Sequence, residues 1–198
     1  MLIVAYAYIS VMEQKHEYSH EHLEGVQMLA ALLAKFLPEL SAEDRENISL
    51  AALLHDIGKI AVEKSTLSNT SKQLTGTQIK ELEAHTFKGV QILRKCRTPF
   101  PEMVIEGVFS HHERWDGVTG DLQGYPLGIS GKRIPLAGRI IAVADTYHAM
   151  TSQREYQRKL SRVEAVAALQ ALAGNKLDPR LVKIFITKVI PTLDRRKN

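Results

Sequence analysis

Apolar positions recur at helical spacing along most of the chain. Ile48 to His55, ISLAALLH, is apolar nearly all round and predicts a buried helix. Glu63 to Gln73 is rich in Ser, Thr, Lys and Asn and predicts a loop. Thr75 to Leu93 sets Ile79, Leu82, Phe87, Val90 and Leu93 near a 3.6-residue period and predicts one helix. Pro99 and Pro101 break that run, and a further helix is expected over Met103 to His112. Asp116 to Pro135 is glycine-rich and predicts a long loop. Leu136 to Thr151 and Glu164 to Ala173 read as helices, the second stopped by Gly174. Asp178-Pro179 reads as an N-cap and first-turn proline opening the last helix. Ile140, Ile141 and Val143 are β-branched, but no alternating run accompanies them. The expected fold class is all-α, as a single domain over residues 1–198.

The apolar start, Leu2 to Met12, is too short to span a bilayer and lacks the basic leader of a signal peptide. It reads as a first core helix, with the end of an upstream linker helix as the alternative. The composition is ordinary for a globular chain: 44% hydrophobic and 24% charged over 198 residues, enough to bury a core without a disulfide or metal staple. The charge sum, 26 − 22 = +4, suits an anionic ligand but is too weak to imply nucleic-acid binding, so no DNA partner is expected. One cysteine, Cys96, excludes an internal disulfide framework and fits a reducing cytoplasm.

Histidine carries the chemical signal. The eight are His16, His20, His22, His55, His85, His111, His112 and His148, and none falls in the last fifty residues. A lone histidine on an apolar helix is usually a hydrogen-bonded core residue. His55 differs because Asp56 follows it directly at the end of an apolar helix, where an ionised carboxylate is expensive without a cation or metal. His111-His112 is a second unusual pair, since adjacent helical residues point about 100° apart and can serve two neighbouring ions. Asp145 is a third case, an acid ending the apolar run IIAVAD.

Other motifs compete weakly. His16 to His20, HEYSH, matches the zincin pattern with Glu17 as base, but no third His follows at the metzincin offset, and the gluzincin offset falls at Pro38-Glu39-Leu40 near an expected helix end. No Walker loop, Rossmann glycine fingerprint, Gly-x-Ser-x-Gly elbow or cysteine pair is present.

From about Glu13 to Phe185 the chain resembles the HD-GYP family, a branch of the HD-domain metal-dependent phosphohydrolases. The matching stretches are HLEGVQMLA from His22, AALLHDIGKIAV from Ala51, AHTFKGVQIL from Ala84 and HHERWDG from His111. They continue with GYPLGISGKRIPLAGRIIAVAD from Gly124 to Asp145 and LDPRLVKIF from Leu177. The resemblance implies a single HD-domain helical bundle with a long GYP-containing loop. It also implies seven metal ligands: His22, His55, Asp56, His85, His111, His112 and Asp145. Asp56 would bridge two ions, with His22, His55 and Asp145 completing one site and His85, His111 and His112 the other. Nitrogen-rich sites with carboxylates suit divalent transition metals, here Fe or Mn, with Zn or Ni as alternatives.

The implied function is metal-dependent hydrolysis of a cyclic dinucleotide, cyclic di-GMP first, by a hydroxide shared between two ions roughly 3.5–4 Å apart. Asp56 and Lys59 are the implied catalytic residues, Lys59 through a phosphate oxygen. Lys59, Arg154, His148 and Gln157 are the candidate substrate contacts. Several positions depart from the family pattern. His148 stands where a second Asp is usual, and Gln157 where a cation is usual. Six residues, VTGDLQ, separate Asp116-Gly117 from Gly124-Tyr125-Pro126, and Glu63 replaces a proline. Tyr18 occupies the position of a third-metal Glu, which favours two ions. A catalytically weakened signalling or binding protein of this fold is therefore the alternative, as is an HD phosphohydrolase acting on another nucleotide. Gly124-Tyr125-Pro126 reads either as a turn or as a docking element for a signalling partner. Trp115 reads as a packed anchor.

Overall fold

The computed structural model of the chain describes residues 6–7, 10–11, 20–67, 74–120, 123–152 and 158–195. Among the described residues from His20 onward, ten α-helices follow one another: α1 His20–Lys35, α2 Ala42–Leu54, α3 Lys64–Leu67, α4 Gly76–Glu83, α5 His85–Arg94, α6 Glu102–Ser110, α7 Leu136–Thr151, α8 Arg162–Leu172, α9 Pro179–Ile184 and α10 Ile190–Arg195. A 3-10 turn, Ile57–Ala61, follows α2, and a π turn, Phe185–Val189, joins α9 to α10. The described residues contain no strand, only an isolated bridge between Ala173 and Leu177. The fold is all-α, as the sequence predicts.

Local chemistry sets the helix ends. Ser41 with Asp44, Thr75 with Gln78 and Ser161 with Glu164 form reciprocal capping boxes, each cap worth about 1 kcal/mol. Asp178 accepts from the Arg180 and Leu181 amides and from Arg139 Nη1 at 2.8 Å, while Pro179 opens α9. The Ser41 box starts α2 six residues before the apolar stretch at Ile48, because its first turn is polar and exposed.

The packing frame is a layer of helices around α1 and α2. Helix α1 lies against α2 and α7, α2 against α6, and α6 against α5 and α7. Val26, Leu33, Ile48, Leu53, Val108, Ile140, Val143 and Phe185 fill the interior. Fully burying such side chains contributes roughly 1.5–3 kcal/mol each.

Four expectations change. The run from Thr75 to Leu93 is two helices, because the chain bends at Ala84, whose ψ is −10°. That bend turns His85 inward, where it is 1% exposed. His111 and His112 follow the end of α6 rather than lying within it. The polar stretch Glu63 to Gln73 contains the short helix α3 in its described part. Of Leu2 to Met12, residues 6–7 and 10–11 are described, and all four are exposed rather than part of the core. No helix among the described residues is long and apolar enough to cross a membrane.

Candidate metal centre

Two groups of metal-capable side chains adjoin in the interior. Asp56, His85, His111 and His112 form one, and His22, His55 and Asp145 the other. Within each, the ligand atoms lie within 4.8 Å of one another. Five different segments deliver them: the start of α1, the end of α2, the first residue of α5, the end of α6, and the middle of α7. Gly58 makes this convergence possible. A Cβ there would collide with the His85 carbonyl, so only glycine lets the HDIGK turn meet α5.

Asp56 joins the two groups. Its Oδ2 faces His55 Nε2 at 3.1 Å and its Oδ1 faces His85 Nε2 at 3.3 Å. Lys59 Nζ lies 2.8 Å from Oδ2, one turn further along the chain. Burial alone would raise the Asp56 carboxyl, but Lys59, then His55 and His85, hold it well below its ordinary range. Asp145 Oδ1 faces His22 Nε2 at 3.4 Å.

The histidine geometry selects one ring nitrogen for a cation. Nδ1 of His55, His85 and His111 lies 2.7, 2.5 and 2.8 Å from the carbonyls of Ala52, Leu82 and Val108, each three residues back. Each Nδ1 therefore donates, and in the neutral ring each Nε2 presents a lone pair inward. His85 Nε2 and His111 Nε2 then face each other at 3.4 Å, lone pair to lone pair. His55 Nε2 is buried 3.1 Å from Asp56 Oδ2, a contact that calls for positive charge on the ring or between the two groups. These contacts repel unless a cation sits among them, and backbone-anchored imidazoles are the usual supports of metal ligands. The donor set fits transition-metal ions.

Protonation states agree with that fit. Burial lowers His22 and His85 to about 4 and His112 to about 3, and drives His111 well below its ordinary value. These rings are neutral near pH 7, the form that ligates. His55 is the exception. Burial lowers it, but the Asp56 carboxylate outweighs that effect and raises it, a demand for positive charge at the same point.

The GYP segment roofs one half of the centre. Tyr125 stacks on His112, with centroids 4.7 Å apart and planes at 27°. It also meets His85 edge-on at 6.2 Å. The Tyr125-Pro126 peptide is cis. Gly124 passes so close to the Arg114 amide that any Cβ would collide with the backbone there. Glu113 anchors the segment: its buried carboxylate accepts from the Leu127 amide at 2.6 Å and the Ile129 amide at 3.0 Å. Glu113 lies within HHERWDG, and its one signal in the sequence is adjacency to the histidine pair. Trp115 is an anchor, as expected: its amide donates to the Lys176 carbonyl, and Arg139 lies over its ring at 5.8 Å.

The remaining candidates divide. His148, a candidate substrate contact, lies against His22, with the two Nδ1 atoms 3.1 Å apart. Arg154 and Gln157 fall outside the described residues, as do Tyr18, His16 and Glu17. His20, the described member of HEYSH, is 37% exposed in its side chain and pairs with Glu24 at 3.7 Å.

Comparison with known families decides the relationship. The profile of the HD domain matches residues 8–181. The chain belongs to the HD domain family. The HD-GYP resemblance read from the sequence is borne out by its relatives. The HD domain is similar to a cyclic di-GMP phosphodiesterase of Thermotoga maritima, 34% identical over 85% of this chain and 44% of that protein. It is also similar to 3'3'-cGAMP-specific phosphodiesterase 2 of Vibrio cholerae, 29% identical over 92% of this chain and 34% of that protein. The chain thus spans less than half the length of these relatives. Among solved structures, the HD domain of L. monocytogenes phosphodiesterase PgpH in complex with cyclic-di-AMP matches with a TM-score of 0.67. That match is 15% identical and covers 95% of each chain, a likeness of fold.

Proposed function

We propose that this HD domain, a single unit over residues 1–198, is a metal-dependent phosphodiesterase that opens a cyclic dinucleotide, cyclic di-GMP first. The observation that carries the reading is Asp56, whose two carboxylate oxygens face opposite halves of one donor cluster at 3.1 and 3.3 Å. That placement supports Asp56 as the bridge between two divalent ions. His22, His55 and Asp145 would hold one, and His85, His111 and His112 the other. Imidazole-rich octahedral sites favour Fe or Mn, with Zn or Ni as alternatives. Bound ions of this kind supply a nucleophile at neutral pH and neutralise charge on a phosphoryl group.

The chain's own residues do the rest. Lys59 reaches the edge of the cluster with a side chain 16% exposed, and it offers an ammonium to a non-bridging phosphate oxygen. Tyr125 holds the His112 ring by stacking and walls the pocket mouth. Arg154 is proposed as a second phosphate contact, with Gln157 beside it as a neutral one. The cyclic dinucleotides named for the two relatives support the substrate class. A nucleotide substrate and the lone Cys96 fit a cytoplasmic setting. Leu127, just after Gly124-Tyr125-Pro126, is 59% exposed, a surface a signalling partner would meet.

The test is product chromatography after incubating the Mn²⁺- or Fe²⁺-loaded protein separately with cyclic di-GMP, 3'3'-cGAMP and cyclic di-AMP. Linear dinucleotide or mononucleotide from cyclic di-GMP supports the reading. Cleavage of only another member moves the substrate assignment, and cleavage of none defeats the enzyme reading in favour of a binding protein.

A further inference from the structure

His22 differs from the other cluster histidines in what supports it. His55, His85 and His111 each lean on a backbone carbonyl, whereas His22 Nδ1 lies 3.1 Å from His148 Nδ1. The two rings meet edge to face, with centroids 5.1 Å apart. His148 sits one turn after Asp145 on α7, and Ser152 one turn after His148. Ser152 Oγ is 3.1 Å from His148 Nδ1 and 3.2 Å from its Nε2.

The direction of these bonds follows from His22. Its Nε2 faces Asp145 and the cluster, so its ring proton must sit on Nδ1 when Nε2 ligates. His22 Nδ1–H then donates to His148 Nδ1, and His148 carries its own proton on Nε2, from which it donates to Ser152 Oγ. Gly25 supplies the room. It lies one turn after His22, and a Cβ there would come within 2.0 Å of His148 Nε2.

We infer that His148, backed by Ser152 and accommodated by Gly25, is the positioning residue that fixes the tautomer and orientation of His22 in the metal centre. This inference rests on the reading of His22 as a metal ligand. The support is neutral, so it orients His22 without the added basicity that a carboxylate acceptor confers. His148 thereby belongs with the metal ligands rather than with the substrate.

The experiment measures Zn²⁺ affinity of the full chain by chelator competition for wild type, His22→Ala, His148→Ala, His148→Asp and Gly25→Ala. Thermal melting of each metal-free protein checks folding. His148→Ala and Gly25→Ala should weaken the half-site of His22, His55 and Asp145 by about 10–100-fold, the usual worth of an outer partner. His148→Asp should restore or exceed wild-type affinity. Long-range ¹H–¹⁵N spectra of the Zn²⁺-loaded wild type should show His148 protonated on Nε2. Unchanged affinity in His148→Ala, or His148 protonated on Nδ1, overturns the inference. A wild type that binds no Zn²⁺, or a His22→Ala variant that binds normally, overturns the underlying ligand reading instead.

Discussion

The Nε2 atoms of His85 and His111 face each other at 3.4 Å while both Nδ1 atoms donate to main-chain carbonyls. Neither ring can relieve the contact by changing tautomer without giving up a buried hydrogen bond, worth about 0.5–1.5 kcal/mol and costlier to leave unmade. The fold therefore holds two lone pairs together in the interior. A metal ion turns that repulsion into coordination.

Asp56→Ala should abolish metal retention at both half-sites and hydrolysis with it. Its loss removes the group that faces both, so the affinity drop should exceed the about 10–100-fold typical of an outer partner. Metal analysis after gel filtration checks this, and two retained ions in the variant would remove Asp56 as the bridge.

Lys59→Ala should retain metal and slow turnover by about 10²–10³, the range for removing one donor to developing charge. Lys59 Nζ meets Asp56 Oδ2 at 2.8 Å, so metal content must be measured beside kcat. Full activity with full metal would assign the lysine to Asp56 alone.

Acid should destabilise the metal-free protein. Folded His22 and His85 titrate at about 4 and His112 at about 3, against 6.5 for an unperturbed ring. Between those values the unfolded chain binds more protons than the folded one, so stability is full above pH about 6.5 and falls as pH drops toward 4. Each complete shift is on the order of 3 kcal/mol. Urea midpoints of chelator-treated protein should decline from pH 7 to 4.5, and a flat profile would contradict neutral burial of these rings.

Glu113→Ala should loosen the GYP segment by leaving the Leu127 and Ile129 amides without their acceptor, at about 1–3 kcal/mol for each group. Trp115, the only tryptophan, lies two residues away and reports the change by its emission. Glu113→Gln should fall between the variant and wild type, since it keeps one acceptor oxygen. An unaltered melting temperature in Glu113→Ala would show that other contacts hold the segment.

The helices and the ligand set were legible for different reasons. Leu136 to Thr151 was exact because an apolar run, a preceding proline and a polar end agree. The two helices hidden in Thr75 to Leu93 were not, because periodicity continues across Ala84 and only the inward turn of His85 marks the bend. His55-Asp56, His111-His112 and Asp145 stood out as charges and ring pairs in apolar company. The part played by His148 could not be read, since its contacts, Gly25 and His22, lie more than a hundred positions away. Glu113 was similarly silent, because its partners are backbone amides that no side-chain pattern reveals.

The central claim is that Asp56 joins two metal ions, and anomalous X-ray scattering from crystals of the Mn²⁺-loaded protein tests it most directly. The account predicts two peaks about 3.5–4 Å apart, one among His22, His55 and Asp145 and one among His85, His111 and His112, with an Asp56 oxygen bound to each. A single peak away from Asp56, or a peak at the surface-exposed His20, would contradict it.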